Sequence, residues 1–492
     1  MKKVISALTL FVLAVSSFSV QARDISEKEA QNAAAYYMSV YSSIPDVKVS
    51  DLVLIHKIVN PDLDVPACYF FNVSDWGWII MAGSTAVDPV VAFSDRCGNM
   101  DMKTVPDNMM AWIDDYSGMI MALQNADRKY QFPIIDEWQD LLKQNPISTP
   151  KAGEHYLMDE AWSQGELNGH LYNSMCPQVN GYYCYVGCVA TALSQIIHYY
   201  KFPVRPMGWH RYFWNGTPLT FDYDNTTFDY SLMPNKLTEN SSAAKKAEVA
   251  KLCYAVGVAM DMDYGIDGSG AYSANVPNNM ATYFKYNTCT QVHRDFQNND
   301  TAFCGKIRRE LMLNRPVYMS GASSTNNEGS DASGHAWVCC GYREDQPNMY
   351  WLNWGWAGTD DGWYNMVLNN QSSMYLSQTH YTFNLRQSCM LGFIPPHADS
   401  SAVDFMPHTE GIAPVSTAQL MPAYPNPASY SVNLPYSATT SDELMVYSVD
   451  GRLVIRQSVQ AGDGVVTINI DKMPAGIYIY RLGGATGKFT VQ

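Results

Sequence analysis

The chain of 492 residues is poor in charge, and it has fewer basic than acidic residues. Charged residues make up only 16% of it, which is below the roughly 25% of an ordinary soluble protein. Its 32 Lys and Arg stand against 47 Asp and Glu, which gives a formal net charge of −15. An acidic surface repels the phosphate backbone, so we expect no nucleic-acid binding.

Motifs for metal and nucleotide binding are missing as well. The sequence contains no His-Glu-x-x-His, no Cys-x-x-Cys and no P-loop, because Gly487-Lys488 is followed by Phe489 where Ser or Thr would bind magnesium. The carboxylates Asp261, Asp263 and Asp267 do not have the spacing of an EF-hand. We therefore expect neither a cofactor nor a metal ion.

Long apolar runs are also scarce, and the one at the start of the chain has the pattern of an export signal. Lys2 and Lys3 precede an apolar run from Ala7 to Val15, and small residues follow up to Ala22. The run is shorter than the about 20 apolar residues that a membrane-spanning helix needs. Residues 1–22 are therefore predicted to be a signal peptide, and the mature protein to be secreted or held at the cell surface.

Aromatic residues, at 13%, are abundant enough to exclude disorder over most of the length. The length predicts about three domains. In residues 23–148, strand-like runs at 69–73, 77–83 and 89–95 are flanked by helix-like stretches at 26–41 and 108–123. This alternation predicts an α+β domain, whose first helix opens on a capping box formed by Ser26 and Glu29.

Cys188 is the strongest candidate nucleophile. It follows Gly187 and begins a stretch with apolar residues on one helical face, at Val189, Leu193, Ile196, Ile197 and Tyr200. A thiol at a helix N-terminus lies at the positive end of the helix dipole, which favours the thiolate. The alternative is a cysteine that only packs or forms a disulfide, which is commoner for an arbitrary cysteine.

His335 is the predicted acid and base for that thiol. It lies 335 − 188 = 147 residues after Cys188, within the window of roughly 130–150 residues typical of papain-like enzymes. An apolar run follows it to Cys340, which predicts a buried strand with the imidazole at its start. The other histidines, His198 among them, lack such flanks and are interpreted as packed or solvated side chains.

Two further residues complete the predicted site. Asn353 lies in an aromatic run, and its amide oxygen could accept a hydrogen bond from the imidazole while Trp354 or Trp356 shields that bond. An aromatic core strand with glycine turns is the alternative. The tetrahedral intermediate also needs donors for its oxyanion, for which we expect the Cys188 backbone N–H and the Gln164 side chain.

Three stretches resemble the signatures of the streptopain family of bacterial cysteine proteases: 187–192, 334–336 and 353–358. The resemblance covers roughly residues 155–395 and implies a papain-like catalytic domain at 149–395. It also implies that Gln164 takes the oxyanion role. It further implies that Ser269 and Gly334 lie beside bound substrate. We expect Trp354 and Trp356, next to Asn353, to bind substrate as well.

The block at 23–148 resembles the propeptide of the same family, which also occurs as a stand-alone inhibitor. The resemblance implies that this prodomain is an intramolecular inhibitor of a zymogen. Residues 142–153 are polar and rich in proline, which suits an exposed, cleavable junction. An ordinary structural N-terminal domain is the alternative.

The C-terminal part is predicted to be a linker followed by a small domain. Residues 396–420 have no periodicity and are rich in Pro, Ser, Ala and His. Residues 421–492 contain short β-runs punctuated by glycine turns, which predicts a β-sandwich. Blocks at 424–428, 447–451 and 474–478 resemble a Gram-negative secretion sorting domain, which implies passage through outer-membrane secretion machinery. An adhesive or carbohydrate-binding module is the alternative.

The combined pattern predicts a secreted cysteine endopeptidase made as a zymogen, acting on protein or peptide substrates through a thioester on Cys188. Two other classes stay open: a cell-wall peptide amidase of papain-like fold, and a non-enzymatic adhesin with a degenerate site. The count of 11 cysteines is odd, so pairing must leave at least one thiol over. We expect Cys188 to be that thiol.

Overall fold

A computed structural model describes most of the chain, with gaps. The described residues are 22–126, 136–144, 153–165, 172–294, 300–322, 334–367, 387–396, 418–420, 423–428, 430–438, 441–448, 453–470, 473–482 and 485–492. The predicted signal peptide at 1–22, the junction at 142–153 and the linker at 396–420 lie almost entirely outside these residues.

Helices and strands alternate along the described chain. The helices α1 to α7 are, in order, Glu27–Tyr41, Asp107–Gln124, Asp136–Lys143, Cys188–Tyr200, Ala243–Ala259, Val276–Phe284 and Asp300–Met312. The strands β1 to β15 are Leu52–Asn60, Val65–Val73, Gly77–Ala82, Val90–Ser94, Glu154–Tyr156, Gln178–Val179, Tyr182–Tyr183, Trp209–Trp214, Thr217–Asp222, Thr290–His293, Val317–Ala322, Gly334–Arg343, Met349–Asn353, Gly362–Asn365 and Ser388–Leu391. The strands β16 to β22 are Ala418–Leu420, Ser431–Ala438, Asp442–Ser448, Leu453–Val459, Gly462–Asn469, Gly476–Leu482 and Ala485–Val491.

The chain forms two compact units, each assembled from separate stretches. The first takes its described residues from 1–155, 321–337 and 342–386, and the second from 156–320, 338–341 and 387–492. The predicted prodomain therefore belongs to the same unit as part of the predicted catalytic domain.

The first unit is built on a sheet with the strand order β1-β2-β3-β4-β14-β13. Strands β3 and β4 are buried along their whole length, as expected for continuous apolar runs covered on both faces. Strand β4 of the prodomain pairs antiparallel with β14 through Phe93 with Trp363 and Ala92 with Tyr364. Prodomain and catalytic segments thus share one sheet in this unit.

Helix α1 begins where the sequence predicts. The Ser26 hydroxyl accepts from the Glu29 backbone N–H at 3.4 Å, and the Glu29 carboxylate accepts from the Ser26 backbone N–H at 3.0 Å. Strand β1, Leu52–Asn60, was not among the predicted strands, because its apolar residues do not alternate with polar ones; most of its residues are exposed or half-buried.

The second unit is organised around helix α4, which begins at Cys188 as predicted. Every residue of this helix except Tyr199 is buried, so it is a central helix rather than an amphipathic surface helix. Helix α5 packs against it. Serine, threonine, glutamine and histidine side chains of α4 are therefore buried with the apolar ones.

The C-terminal residues of this unit form the predicted β-sandwich. One sheet has the order β16-β17-β20 and the other β19-β18-β21-β22. Their inner faces share a core to which Leu434, Val446 and Phe489 contribute. Strand β16, Ala418–Leu420, lies within the stretch predicted as linker and pairs with β17.

Among the residues that the structure describes, none of the helices has both the length and the apolar character needed to span a bilayer.

Candidate active site

Cys188 is the first residue of helix α4, and the residue before it fixes the approach of the chain. Gly187 has a φ of 91°, a conformation that favours glycine. A Cβ atom at position 187 would lie 2.7 Å from the Met262 sulfur and 3.1 Å from the Ser269 carbonyl oxygen. Cys188 itself is 8% exposed. The thiol is thus held at the positive end of a helix.

Gln164 lies beside the chain that leads into this helix. The backbone N–H of Val186, two residues before Cys188, donates to the Gln164 carbonyl oxygen at 2.7 Å. Gln164 is 7% exposed. The predicted oxyanion donor and the predicted nucleophile therefore belong to neighbouring segments of one unit.

Ser269 is held in a short loop next to the same segment. Its hydroxyl donates to the Tyr185 carbonyl oxygen at 2.7 Å and accepts from the Gly265 backbone N–H at 3.0 Å. The loop is closed by two backbone hydrogen bonds between Asp263 and Gly270. These contacts tie the Ser269 loop to the turn that precedes Cys188.

His335 lies in the first unit, as the second residue of strand β12. It is half-buried, and Gly334 before it is exposed. Burial lowers the pKa of His335, while the negative charge of Asp107 in the prodomain acts in the opposite direction. The neutral imidazole, the form that can accept a proton, is thereby favoured at neutral pH.

Asn353 is the last residue of strand β13, which neighbours β12 in the sheet. It is fully buried, and its side-chain oxygen accepts from the Gly355 backbone N–H at 3.0 Å. This bond shapes the loop that carries Trp354 and Trp356. Trp356 is half-buried.

Trp354 is held from several sides within the first unit. Its ring lies 5.4 Å from that of Trp337 and 5.1 Å from that of Tyr364. Its backbone N–H donates to the Asp361 carboxylate at 2.9 Å, and its carbonyl oxygen accepts from the Asn108 side chain at 2.9 Å. Asn108 belongs to the prodomain, so the prodomain contacts the loop of the predicted orienting residue.

The structure therefore sorts the eight predicted site residues into two groups of neighbours. One group lies in the second unit, and the other lies on β12, on β13 and in the loop after β13 in the first unit. The group in the second unit is Cys188, Gln164 and Ser269. The group in the first unit is Gly334, His335, Asn353, Trp354 and Trp356.

Burial suppresses the thiolate form of most of the other cysteines. Ten of the 11 are buried and Cys97 is half-buried. Burial raises the pKa of eight thiols, to about 12 for Cys253 and about 11 for Cys289. The eight are Cys68, Cys97, Cys176, Cys184, Cys253, Cys289, Cys339 and Cys389. Such thiols stay protonated at neutral pH and are poor nucleophiles.

Several residues around the site were not predicted. Asp107 and Asn108 were interpreted only as a helix start, and nothing in a single sequence shows which distant loop they meet. Gln195 and His198 are different, because polar side chains in a helix that is otherwise apolar are a visible signal of buried hydrogen bonding.

Three family models match the chain. The Spi protease inhibitor matches residues 22–120, the peptidase C10 family residues 162–364, and the secretion system C-terminal sorting domain residues 422–492. Residues 162–364 thus belong to the peptidase C10 family. The chain is a cysteine protease with an inhibitor-like domain before the catalytic region and a sorting domain behind it, as predicted. The sorting domain marks it for export across the outer membrane.

Relatives of this C10 chain extend over most of its length. The thiol protease/hemagglutinin PrtT of Porphyromonas gingivalis is 24% identical over 503 aligned residues, covering 100% of this chain and 54% of that protein. The chain thus spans about half of that relative. Streptopain of Streptococcus pyogenes is 26% identical over 418 residues, covering 79% of this chain and 96% of streptopain.

A solved structure supports the predicted fold. A prointerpain A fragment from Prevotella intermedia superposes with a TM-score of 0.53 at 23% identity, covering 70% of this C10 chain and 99% of that fragment. The predicted α+β class, with a papain-like catalytic domain after an inhibitor-like domain, is confirmed.

Proposed function

We propose that this C10 chain is the zymogen of an exported endopeptidase whose nucleophile is Cys188. The observation that carries the proposal is the position of Cys188 at the start of a buried helix, beside the segment that bears Gln164. Helix dipole and backbone geometry favour a thiolate there, and a donor for an oxyanion lies on the neighbouring segment.

The proposed reaction has two stages. In the first, the Cys188 thiol gives its proton to His335, the resulting thiolate attacks the peptide carbonyl carbon, and the oxyanion accepts hydrogen bonds from the Cys188 backbone N–H and the Gln164 side chain. His335 then protonates the leaving amine as the C–N bond breaks, which leaves a thioester. In the second, a water molecule attacks the thioester carbonyl while His335 takes a proton from that water. The Cys188 thiolate then leaves, and the carboxylic acid product is released.

Asn353 is proposed to orient His335, with Trp354 and Trp356 covering that pair. Its support is the buried end of β13 next to β12, and the aromatic rings packed around Trp354. An amide oxygen so placed favours one imidazole tautomer. Ser269 and Gly334 are proposed to border the substrate, since one lies in the loop beside Gly187 and the other is exposed next to His335.

The prodomain is proposed to act as an intramolecular inhibitor. Asn108 binds the Trp354 carbonyl, and the charge of Asp107 acts on His335. A second contact between the prodomain and the catalytic region is made by the Asp88 carboxylate, which accepts hydrogen bonds from the side chains of Asn348 at 3.0 Å and Asn365 at 2.8 Å. A domain that engages the loop of the orienting residue would keep the enzyme latent until it is removed.

The domain boundaries follow from this proposal. A signal peptide occupies 1–22, the prodomain 23–148, the catalytic domain 149–395, the linker 396–420 and the sorting domain 421–492. The activating cut falls within 142–153, and outer-membrane secretion machinery takes up the sorting domain.

The test combines active-site labelling with two substrates. The mature protein should be labelled by an epoxide inhibitor of cysteine proteases, and Cys188→Ala should abolish the label. Denatured casein should be degraded and peptidoglycan left intact. Release from peptidoglycan alone would indicate an amidase, and a processed protein that takes no label would indicate an adhesin with a degenerate site.

A further inference from the structure

The segment that carries Gln164 is attached at three alternate residues, twice to the nucleophile helix and once to the turn that precedes it. The Glu160 carboxylate lies 2.8 Å from Nδ1 of His198. The Trp162 backbone N–H donates to the Gln195 side-chain oxygen at 3.0 Å. The third attachment is the bond from the Val186 N–H to the carbonyl of Gln164 at 2.7 Å.

These attachments lie in the interior of the second unit. Gln195 and Trp162 are fully buried, and Glu160 and His198 nearly so. Polar groups in such surroundings bond strongly to one another, and an orphaned partner is costly. The other ring nitrogen of His198 meets the Met233 carbonyl oxygen at 2.9 Å, so the ring is held at both nitrogens and cannot rotate freely.

Regular secondary structure does not hold the segment in place. Residues 157–165 lie outside the helices and strands of the described chain. Their position therefore depends on side-chain contacts and on single backbone bonds: from the Ala161 N–H to the Asn235 carbonyl oxygen at 2.7 Å, from the Leu157 N–H to that of Cys340 at 2.9 Å, and from the Val186 N–H to that of Gln164. Gln195 is two helical turns from Cys188, and the N–H that it binds is two residues before Gln164. The bond thus joins the nucleophile helix to the oxyanion donor by a short path.

We propose that Gln195 and His198 are positioning residues that hold the Gln164 side chain at the distance from Cys188 that oxyanion binding requires. The inference rests on the proposed function, in which Gln164 donates to the oxyanion. Donors must lie about 2.7–3.1 Å from the oxyanion to stabilise it. A displacement of about 1 Å can cost on the order of 100-fold in rate.

The central test uses Gln195→Met and Gln195→Glu in the mature enzyme. Methionine has a similar length but no oxygen, whereas glutamate keeps an oxygen that can accept from the Trp162 N–H. We expect Gln195→Met to lower kcat by about 10- to 100-fold with little change in KM, and Gln195→Glu to recover much of the loss. Ser194→Ala, next to Gln195 on the same buried helix, is the matched control and should keep kcat within about threefold of the starting enzyme.

Two reagents separate positioning of the donor from damage to the nucleophile. A peptide aldehyde forms a tetrahedral adduct whose oxygen occupies the oxyanion site, whereas iodoacetamide alkylates the thiolate without using that site. Gln195→Met should weaken aldehyde binding by the same factor as kcat. Its rate of alkylation at Cys188 should stay within about twofold, because alkylation needs no oxyanion donor.

The decisive comparison is made in a Gln164→Ala background. If Gln195 acts through Gln164, adding Gln195→Met there should lower kcat by no more than about twofold further. Losses that multiply, or alkylation that falls in parallel with kcat, would overturn the inference. Should Gln195→Met not fold, His198→Gln is measured in the same scheme, and failure of both to fold would show a folding role instead.

The outcomes for the proposed function are separate. An unlabelled starting protein would refute the proposed nucleophile, and a Gln164→Ala variant with full kcat would refute the proposed oxyanion role. In that case, loss of activity in Gln195→Met could not come from a misplaced Gln164.

Discussion

Asp107 is the prodomain residue whose charge acts on the proposed catalytic base. Burial lowers the pKa of His335, and Asp107 partly offsets this because a negative charge stabilises the imidazolium. Asp107 is exposed, so its effect is partly screened by salt. The two influences come from different parts of the chain and can be separated by substitution.

Replacing Asp107 by Asn should lower the pKa of His335 further. The measurement is the NMR titration of the His335 ring in the uncleaved Cys188→Ala protein, with and without D107N. The difference between the two proteins should shrink at high ionic strength. An unchanged or raised His335 pKa in D107N would show that Asp107 does not act on this ring.

At the scale of elements, the loop after β13 is a point of contact between the prodomain and the catalytic region. The buried Asn108 side chain donates to the Trp354 carbonyl, and the Asp361 carboxylate accepts from the Trp354 N–H. Cys97 of the prodomain donates to the Asp361 carbonyl oxygen at 2.9 Å. The loop is thus held both by its own residues and by the prodomain, within one unit.

Removing the Asn108 side chain should loosen this hold. Asn108→Ala leaves a buried carbonyl without its donor, which costs about 1–3 kcal/mol. The uncleaved Asn108→Ala protein should therefore react faster with the epoxide inhibitor than the uncleaved protein without this substitution. Each loss of about 1.4 kcal/mol in prodomain binding should raise the rate roughly tenfold. Asn125→Ala, directly after the same helix, is the control, because among the described residues its side chain bonds to Asp62 and Asn60, both within the prodomain. Equal rates for the two variants would refute a role of Asn108 in latency.

Asp360, in the same loop, makes stability depend on pH. Burial, helped by the charge of Asp101, raises the pKa of Asp360 from 3.8 to about 7. Between pH 4 and 7 the unfolded chain has already lost this proton while the folded protein keeps it. Folding stability therefore falls as pH rises through this window, and the loss is complete above the folded pKa.

Asp360→Asn should remove this dependence. Asparagine resembles the neutral acid and tolerates the φ of 55° at this position. Above pH 7 the variant should be more stable, by at most about 4 kcal/mol, since each pKa unit corresponds to about 1.4 kcal/mol. The measurement is the thermal unfolding of the Cys188→Ala protein, with and without Asp360→Asn, across pH 4–8. Asp46→Asn, exposed and with a φ of 50°, is the control and should leave the slope unchanged. A slope that persists in Asp360→Asn would contradict the assignment.

At the scale of the whole molecule, the prodomain and part of the catalytic region share one sheet and therefore depend on each other for folding. Strand β4 extends the sheet that contains β14 and β13, so removal of the prodomain exposes a strand edge. The chain must therefore tolerate two states, one with the prodomain in place and one without it. If activation removes the prodomain, as proposed, strand β4 must leave this sheet.

Maturation should depend on Cys188 if the cut is autocatalytic. Cys188→Ala, expressed alone, should accumulate at the full length without the signal peptide. Added mature enzyme should cut it within 142–153, which N-terminal sequencing can verify. Normal processing of Cys188→Ala without added enzyme would mean that another protease makes the cut.

Much of the local structure could be predicted from residue patterns. Helix α4 begins at Cys188 because an apolar period follows a glycine, and α1 begins after Ser26 because a capping box is encoded in four consecutive residues. Strand β1 and the hairpin of β8 and β9 were not predicted. The apolar residues of β1 do not alternate with polar ones, whereas Asn215-Gly216 between β8 and β9 is a typical two-residue hairpin turn and could have indicated that pair.

The sequence by itself determined the chemistry of this protein: a thiol at a helix start, a histidine at a strand start, an inhibitor-like block before them and a sorting domain after them. Each of these features is local or depends on spacing along the chain. Only the tertiary structure decided that Asn108 binds the Trp354 loop, that Asp360 is buried near Asp101, and that Gln195 anchors the Gln164 segment. Those contacts join residues far apart in sequence, and burial, which gives them their energy, exists only once the chain has folded.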